Sequence, residues 1–544
     1  MNANTRVRGR ALWGGVLLLP LLGPGLAAQK FRSDDPLPKE PPPLNAEKVM
    51  GRKLSDYYDF ANNTFRKPGE HPPKGKTIPA RGVNTLGEVP NSAWYTNRHF
   101  HRPMSIEELV RGPGNQNAPD TSARLTVVKA KTEGVSPGFD IVDSKGRRYN
   151  VKFDPLTNPE MATAADVISS KFFYALGYNV PENYIFTFSR DQIEVAPNVS
   201  LTDARGKRHP MTERDVTELL LNVPRTSDGR YRAAASFYLK GKNVREFRYY
   251  GTRQDDPNDV VPHEHRRDLR RLRVFCAWLG HDDSRAINTL DMLVEENGLH
   301  FVRHHLIDFG ATLGSDSNRP NSPASGNTYW FDGGSAAREF FSLGLYVPRW
   351  ARAKYPSLPA VGRFEAEVFD PERWVPFYPS AAFLNCLPDD AYWAAKQVMA
   401  FTDEQIRALV KLGQFSDPRA EKWIADCLII RRVKVGKAFL PKVLPLDRFA
   451  VEDNRLTFED LAAKHKLAAP RDYAVQWSRF DNNTEQKTPL PGETSLRLPG
   501  QIQAAGDSEY SAADIRGEDP KKTVTVFLRK KGSNVAVVGV DRTW

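Results

Sequence analysis

The feature that most restricts what this chain can become is a pair of short polar motifs set in apolar sequence. The first runs Leu279-Gly-His-Asp-Asp283-Ser-Arg-Ala-Ile-Asn288, and the second Leu306-Ile-Asp308-Phe-Gly310. Asp283 and Asn288 lie on a short loop whose spacing lets both face one pocket. Asp308 follows Leu306-Ile307, which places it where a buried strand ends and opens into a cleft, and Gly310 permits a sharp turn behind it. Transferring a phosphoryl group needs a carboxylate to orient the nucleophile, oxygen ligands for magnesium, and a second carboxylate linking the metal to the phosphates. Asp283, Asn288 and Asp308 supply that set. Taken singly, each has a commoner explanation: a helix cap, a turn, and a strand end. Their order along the chain, behind a lysine-bearing sheet and one helix, favours the chemical reading.

That sheet is read from alternation in Arg124–Ala130, Gly138–Val142 and Arg148–Phe153, separated by glycines and the turn Asp143-Ser-Lys-Gly146. From about Thr163 the period becomes helical, with Ile168, Phe172 and Leu176 on one face and Gly177 as the stop. Tyr184–Phe188 reads as a strand, and Ala233–Leu239 as a further apolar stretch. The chain then becomes mainly helical, beginning with His265–Leu279. Thr402 with Gln405 forms a capping box, and Asp417-Pro418 starts another helix. Strand signals return from about Asp472, with Thr523–Leu528 and Asn534–Val540 facing each other across Gly532-Ser533.

With Asp283, Asn288 and Asp308-Phe309-Gly310 in view, the sequence resembles the protein-kinase-like superfamily. It stands nearest the atypical members, the phosphatidylinositol kinases and the HipA-type toxin kinases. His281-Asp282-Asp283 stands where many protein kinases carry His-Arg-Asp. The resemblance implies Asp283 as catalytic base, Asn288 and Asp308 as magnesium ligands, and ATP with magnesium as cofactors. It also implies a strand lysine that holds the phosphates, for which Lys152 fits, paired to an acid on the next helix. Asp166 is the candidate acid, with Glu160 a second choice and a capping role beside Thr163 the alternative for Asp166. Gly134 and Gly138 are candidates for a phosphate-covering loop, although two glycines between strands are equally a turn.

The fold implied is α+β: a two-lobed kinase-like core with a small β-rich lobe over residues 121–245 and a larger helical lobe over 246–440. A linker and C-terminal β domain follow over 441–544. Residues 29–120, rich in Pro, Asn and Gly, read as an extended arm lying on the domain behind it. Ahead of that arm, Arg6, Arg8 and Arg10 precede the apolar run Ala11–Leu22 and the small residues to Ala28. Residues 1–28 therefore read as a signal peptide of an exported protein, periplasmic or extracellular, with no transmembrane segment after cleavage.

Net charge is +11, from 77 basic and 66 acidic residues, without the basic and aromatic interleaving of a nucleic-acid module, so no nucleic-acid partner is expected. The three cysteines, Cys276, Cys386 and Cys427, are read as packing, with at most one bridging pair. His263-Glu-His265 reads as a solvated helix start, and the arginines from 266 to 273 as exposed or paired around a helix. Of His304 and His305, alternation sends one inward and one outward. The function expected is an exported Mg-ATP phosphotransferase acting on an unknown protein, glycan or small-molecule acceptor. The alternatives are a catalytically silent binding module, since extracytoplasmic space is poor in ATP, and adenylyl transfer by the same core.

Overall fold

The computed structural model describes residues 29–131, 137–202, 206–334, 341, 347–492 and 494–544. The signal-peptide reading of residues 1–28 and the candidate Gly134 lie outside the described residues.

The chain is a mixed α+β protein. Its N-terminal stretch carries short helices, α1 (Asp56–Ala61), which runs into a π-helical turn at Asn62–Arg66, and α2 (Ile106–Arg111), with long loops between and around them. A six-stranded sheet follows, ordered β4-β8-β3-β2-β1-β5, from β1 (Leu125–Ala130), β2 (Gly138–Val142), β3 (Arg148–Lys152), β4 (Asn183–Phe188), β5 (Ile193–Val195) and β8 (Tyr231–Phe237). A small ribbon, β6 (Ser200–Thr202) with β7 (Arg208–Pro210), stands apart from it. The central strands are the three that alternation predicts, and their buried positions, including Phe139, Ile141, Tyr149 and Val151, form one side of an apolar core. Helix α3 (Met161–Ala175) packs against β4 and β8. It begins slightly ahead of Thr163 because Asp154 accepts hydrogen bonds from Thr163 N (2.8 Å) and Oγ1 (2.7 Å), capping the first turn from outside the helix. Gly177, at φ +107°, ends the helix as expected.

Beyond α4 (Glu213–Leu220), the expected helix over His265–Leu279 is broken into a 3₁₀ turn at His263–His265, then α5 (Arg267–Arg270) and α6 (Leu272–Leu279). At the first break, before α5, Arg81 of the N-terminal stretch bonds the backbone: its N–H donates to His265 O (2.7 Å) and its carbonyl accepts from Arg267 N (3.1 Å). The His265 carbonyl is therefore taken from a helix that would run on from His265. The residues that the sequence left in solvent are buried here: His263, Glu264 and His265, and also Arg266, Arg267, Arg270 and Arg271. Arg266 is paired to Asp268, and Arg267 to Asp389 and Asp390. Arg271 lies 3.4 Å from the Trp393 ring centroid. His304 and His305 are likewise both buried, His304 stacked on Trp94 with its Nδ1 2.7 Å from Asp291.

Helices α7 (Pro388–Met399), α8 (Asp403–Lys411) and α9 (Pro418–Phe439) pack with α6 and α3 around Phe172, Trp278 and Phe401. The Thr402 and Gln405 box opens α8, and Asp417 caps α9. All three cysteines are free. Strand structure resumes at Leu446, earlier than the sequence suggests, with β12 (Leu446–Glu452) and β13 (Arg455–Asp460). A five-stranded sheet ordered β15-β14-β16-β17-β18 ends the chain: β14 (Ala474–Phe480), β15 (Lys487–Pro489), β16 (Tyr510–Arg516), β17 (Thr523–Lys531) and β18 (Asn534–Arg542). Phe31 is buried against Phe480, Tyr510 and Phe527 of this sheet, so the start of the described chain is fastened to its end. No helix among the described residues is long and apolar enough to cross a membrane.

Candidate functional site

The stretch between the two polar motifs is an antiparallel hairpin, β10 (Thr289–Glu296) and β11 (Leu299–Leu306), extended by the short β9 (Lys242–Asn243). Asn297 (φ +52°) and Gly298 (φ +76°) form its turn, and an Asn-Gly pair between alternating apolar runs is the signal from which this hairpin is readable. The expectation of a mainly helical region missed it. The hairpin matters because its register pairs Thr289 with Leu306, and Ile307 N then donates to Asn288 O at 3.0 Å. The ends of two motifs distant in sequence are thereby placed side by side.

On the loop before β10, Asn288 Nδ2 donates to the Asp283 carbonyl (2.7 Å) and to Asp283 Oδ2 (2.9 Å). The other carboxylate oxygen, Oδ1, accepts from Arg285 Nε. Arg285 also donates through Nη1 to Asp56 Oδ2 of α1 at 2.7 Å, so the N-terminal stretch reaches the loop through this guanidinium. Burial works against the Arg285 charge, but Asp283 and Asp56 outweigh it and raise the pKa. Neither Arg285 nor Asp56 was among the sequence-based candidates. Next to Asp283, burial and the neighbouring Asp283 push the Asp282 carboxyl up to about 6, against the hydrogen bonds it accepts from Ser325 and Asn321. His281, also buried, lies 6.1 Å from the Phe309 ring and 5.9 Å from Phe173, which itself stacks on Phe309 at 5.0 Å. This aromatic group fixes the backbone that carries Asp308.

Asp308 itself has φ +59°, whereas Gly310 is not in the left-handed region. The expected sharp turn therefore falls on the aspartate, a residue type that tolerates this conformation better than most. Its partly exposed carboxylate accepts from Lys152 Nζ at 2.6 Å, and Asp166 Oδ2 lies 3.6 Å from the same ammonium. Asp166 is only 2 % exposed, and its Oδ1 accepts from Phe309 N (3.0 Å) and Asn183 Nδ2 (3.1 Å). Asp166 is thus the acid that meets Lys152, and it caps nothing. The carboxylate of Glu160 instead accepts from Ser416 N at 2.9 Å.

The three charges perturb one another in an orderly way. Burial disfavours the Lys152 ammonium, but Asp166 and Asp308 together raise its pKa. Burial raises both carboxyls, and the outcome follows distance: Lys152 overcomes it at the nearer Asp308, which is lowered, and fails to at Asp166, which stays raised. Lys131, directly after β1, belongs to the same field. Burial and then the Lys152 charge push its pKa down to about 8, with Asp308 and Asp166 opposing.

Gly138 pairs with Lys152 across β2 and β3, and a Cβ there would stand 2.2 Å from the Val151 carbonyl oxygen. Its bare Cα is required by close approach of backbone, which a strand glycine often marks. Gly138→Ala is expected to destabilise the protein by more than about 1 kcal/mol in chemical denaturation, because the strand carrying Lys152 must move.

The donor set suits a hard divalent cation. Asp308 offers a carboxylate, and Asn288, whose Nδ2 is taken by Asp283, offers its amide oxygen. Among the described residues no group of three or more His, Cys, Asp or Glu side chains is placed to hold a metal ion.

No family model matches this sequence, and no curated protein matches it. Among solved structures, it is similar to the Helicobacter pylori proinflammatory kinase CtkA at 11% identity and a TM-score of 0.34, over 60% of this chain and 98% of that one. It is also similar to the Golgi casein kinase at 9% identity and a TM-score of 0.31, over 62% and 75% of the two chains. The same kinase with Mn/ADP bound aligns at 10% identity and a TM-score of 0.26, over 61% and 75%. Likenesses at this level carry no weight for chemistry, which stands on the side chains described above.

Proposed function

We propose that the chain is a kinase-like phosphotransferase using Mg-ATP, built as a small sheet-and-helix lobe over a larger helical lobe with a C-terminal β domain. The observation that carries this reading is the convergence of Lys152, Asp166 and Asp308 next to the Asp283 and Asn288 pair. Lys152, held between two carboxylates, presents a fixed cation to the α- and β-phosphates. Asp308 and Asn288 are the residues that would hold magnesium, which supplies charge neutralisation on the phosphates when bound. Asp283, with both oxygens oriented by Asn288 and Arg285, receives the proton of an acceptor hydroxyl as its oxygen bonds to the γ-phosphorus and ADP leaves. The pattern of residues 1–28 adds the proposal of export to the periplasm or beyond. The acceptor is a protein, glycan or small molecule.

A ligand that binds the folded state stabilises it, by about 2.7 kcal/mol at a hundred times its Kd. Mg-ATP is expected to raise the melting temperature of the purified chain, and Asp308→Ala to abolish that rise. Absence of a shift in the wild type would sink the nucleotide reading. Mass spectrometry after incubation with candidate acceptors then separates the outcomes: added phosphate supports the proposal, added adenylyl replaces it with nucleotidyl transfer, and nucleotide binding without product replaces it with a silent binding module.

A further inference from the structure

Resting on the phosphotransferase reading above, we infer that the acceptor is a carbohydrate, seated on an aromatic surface that α1 and two loops build beside Asp283. The surface begins at Arg285, the residue that orients Asp283, whose guanidinium lies 5.5 Å from the Phe377 ring. Phe377 N donates to Asp282 O (2.8 Å) and Phe377 O accepts from Trp330 N (2.8 Å), so both loops are tied by backbone to the one that carries Asp283. Trp330 stacks on Phe377 with centroids 5.7 Å apart and meets Phe60 of α1 edge-on at 5.1 Å. Phe65, in the π-helical turn that follows α1, packs against Phe331 at 5.3 Å. The buried Asp59 anchors α1 here by accepting from the Tyr378 hydroxyl at 2.6 Å. Even so, Trp330, Phe331 and Phe65 are 68%, 56% and 62% exposed. Scattered exposed apolar side chains need no explanation, but contiguous rings fixed by their neighbours mark a binding surface.

The chemistry of the surface selects its occupant. Phosphoryl transfer needs an acceptor hydroxyl at Asp283. A sugar ring brings that hydroxyl together with a face of C–H groups, which lies on the electron-rich face of an aromatic ring. Asp56 and Asp283, both partly exposed beside the rings, are carboxylates able to accept from further sugar hydroxyls. None of the ring-bearing residues lies on a strand, so an extended peptide finds no edge to join here, and stacking is what the surface offers. In the transfer, the sugar hydroxyl oxygen bonds to the γ-phosphorus, its proton passes to Asp283, and the bond from that phosphorus to the β–γ bridging oxygen breaks, releasing ADP and a sugar phosphate.

The probes are neutral hexasaccharides of glucose, xylose, mannose and N-acetylglucosamine, with a mixed-sequence serine and threonine peptide library in parallel, each incubated with the full chain, magnesium and γ-labelled ATP. Label is expected on at least one saccharide. Trp330→Ala is expected to raise the KM for that saccharide about tenfold, the scale of losing one stacked ring, while the Mg-ATP shift in melting temperature persists. Trp330→Phe, which keeps a ring, is expected to retain most of the saccharide affinity and serves alone if the alanine variant does not fold. Label on the peptides and none on the saccharides overturns the inference and leaves the phosphotransferase reading standing. An unchanged saccharide KM in Trp330→Ala, or a loss in Trp330→Phe as large as in Trp330→Ala, overturns it in the same way. A Mg-ATP shift with label on neither class of probe overturns the carbohydrate acceptor, and a wild type without any Mg-ATP shift overturns both readings.

Discussion

Asp283→Asn is expected to lower the rate of phosphoryl transfer about a thousandfold while leaving Mg-ATP affinity within a few-fold of the wild type. The magnitude is that of losing a positioned proton acceptor, roughly 10²–10⁴ in rate. The amide keeps one oxygen for hydrogen bonding but no longer takes up a proton. The local structure has reason to survive the change: Arg285 keeps its 2.7 Å contact with Asp56, and Asn288 keeps the Asp283 backbone carbonyl as acceptor. Turnover in a coupled ADP assay, read alongside nucleotide titration, checks both halves. A variant that turns over at the wild-type rate removes Asp283 from the chemistry. One that loses nucleotide binding in proportion to turnover makes it a binding residue instead.

The second large effect is on stability. Asp166→Ala is expected to lower the unfolding free energy by about 1–3 kcal/mol, the cost of leaving a buried donor without its acceptor, since Lys152 keeps the nearer Asp308. Lys152, only 14 % exposed, would be left with Asp308 as its one carboxylate contact, and Phe309 N and Asn183 Nδ2 would both lose their shared acceptor. Asp166→Asn divides the effect. It retains an oxygen for Phe309 N while removing the charge, so it is expected to recover part of the stability but little of the nucleotide affinity. Urea denaturation of the three proteins gives the measurement. Equal stability across them would mean that Lys152 is satisfied by Asp308 alone.

Several parts of this molecule are legible because they depend on neighbours in sequence. The alternation in Phe139, Ile141, Tyr149 and Val151 gives β2 and β3 with their buried faces, and the period through Ile168, Phe172 and Leu176 gives α3. The meeting of Asp283 and Asn288 is legible for the same reason, since it closes within one loop. The hairpin between Asn288 and Asp308 is carried by the Asn297-Gly298 pair, a local turn signal set in a region whose flanking sequence reads as helical. The burial of His263 to His265 and of Arg266, Arg267, Arg270 and Arg271 was not legible at all. Their covering comes from Arg81, Trp94, Asp389 and Asp390, none of which is near them in sequence.

What the sequence determined by itself is therefore the local periodicity, the turn chemistry and the presence of Lys152, Asp283, Asn288 and Asp308 in a suggestive order. Tertiary structure alone decided that Lys152 meets Asp308, 156 residues away, that Asp166 and not Glu160 completes the pair, and that Arg285 ties Asp283 to Asp56. The physical reason is register. A side chain's direction along a strand or helix is set by its immediate neighbours, but which distant side chain it faces depends on how hairpins and helices pack, and that information is spread over the whole chain.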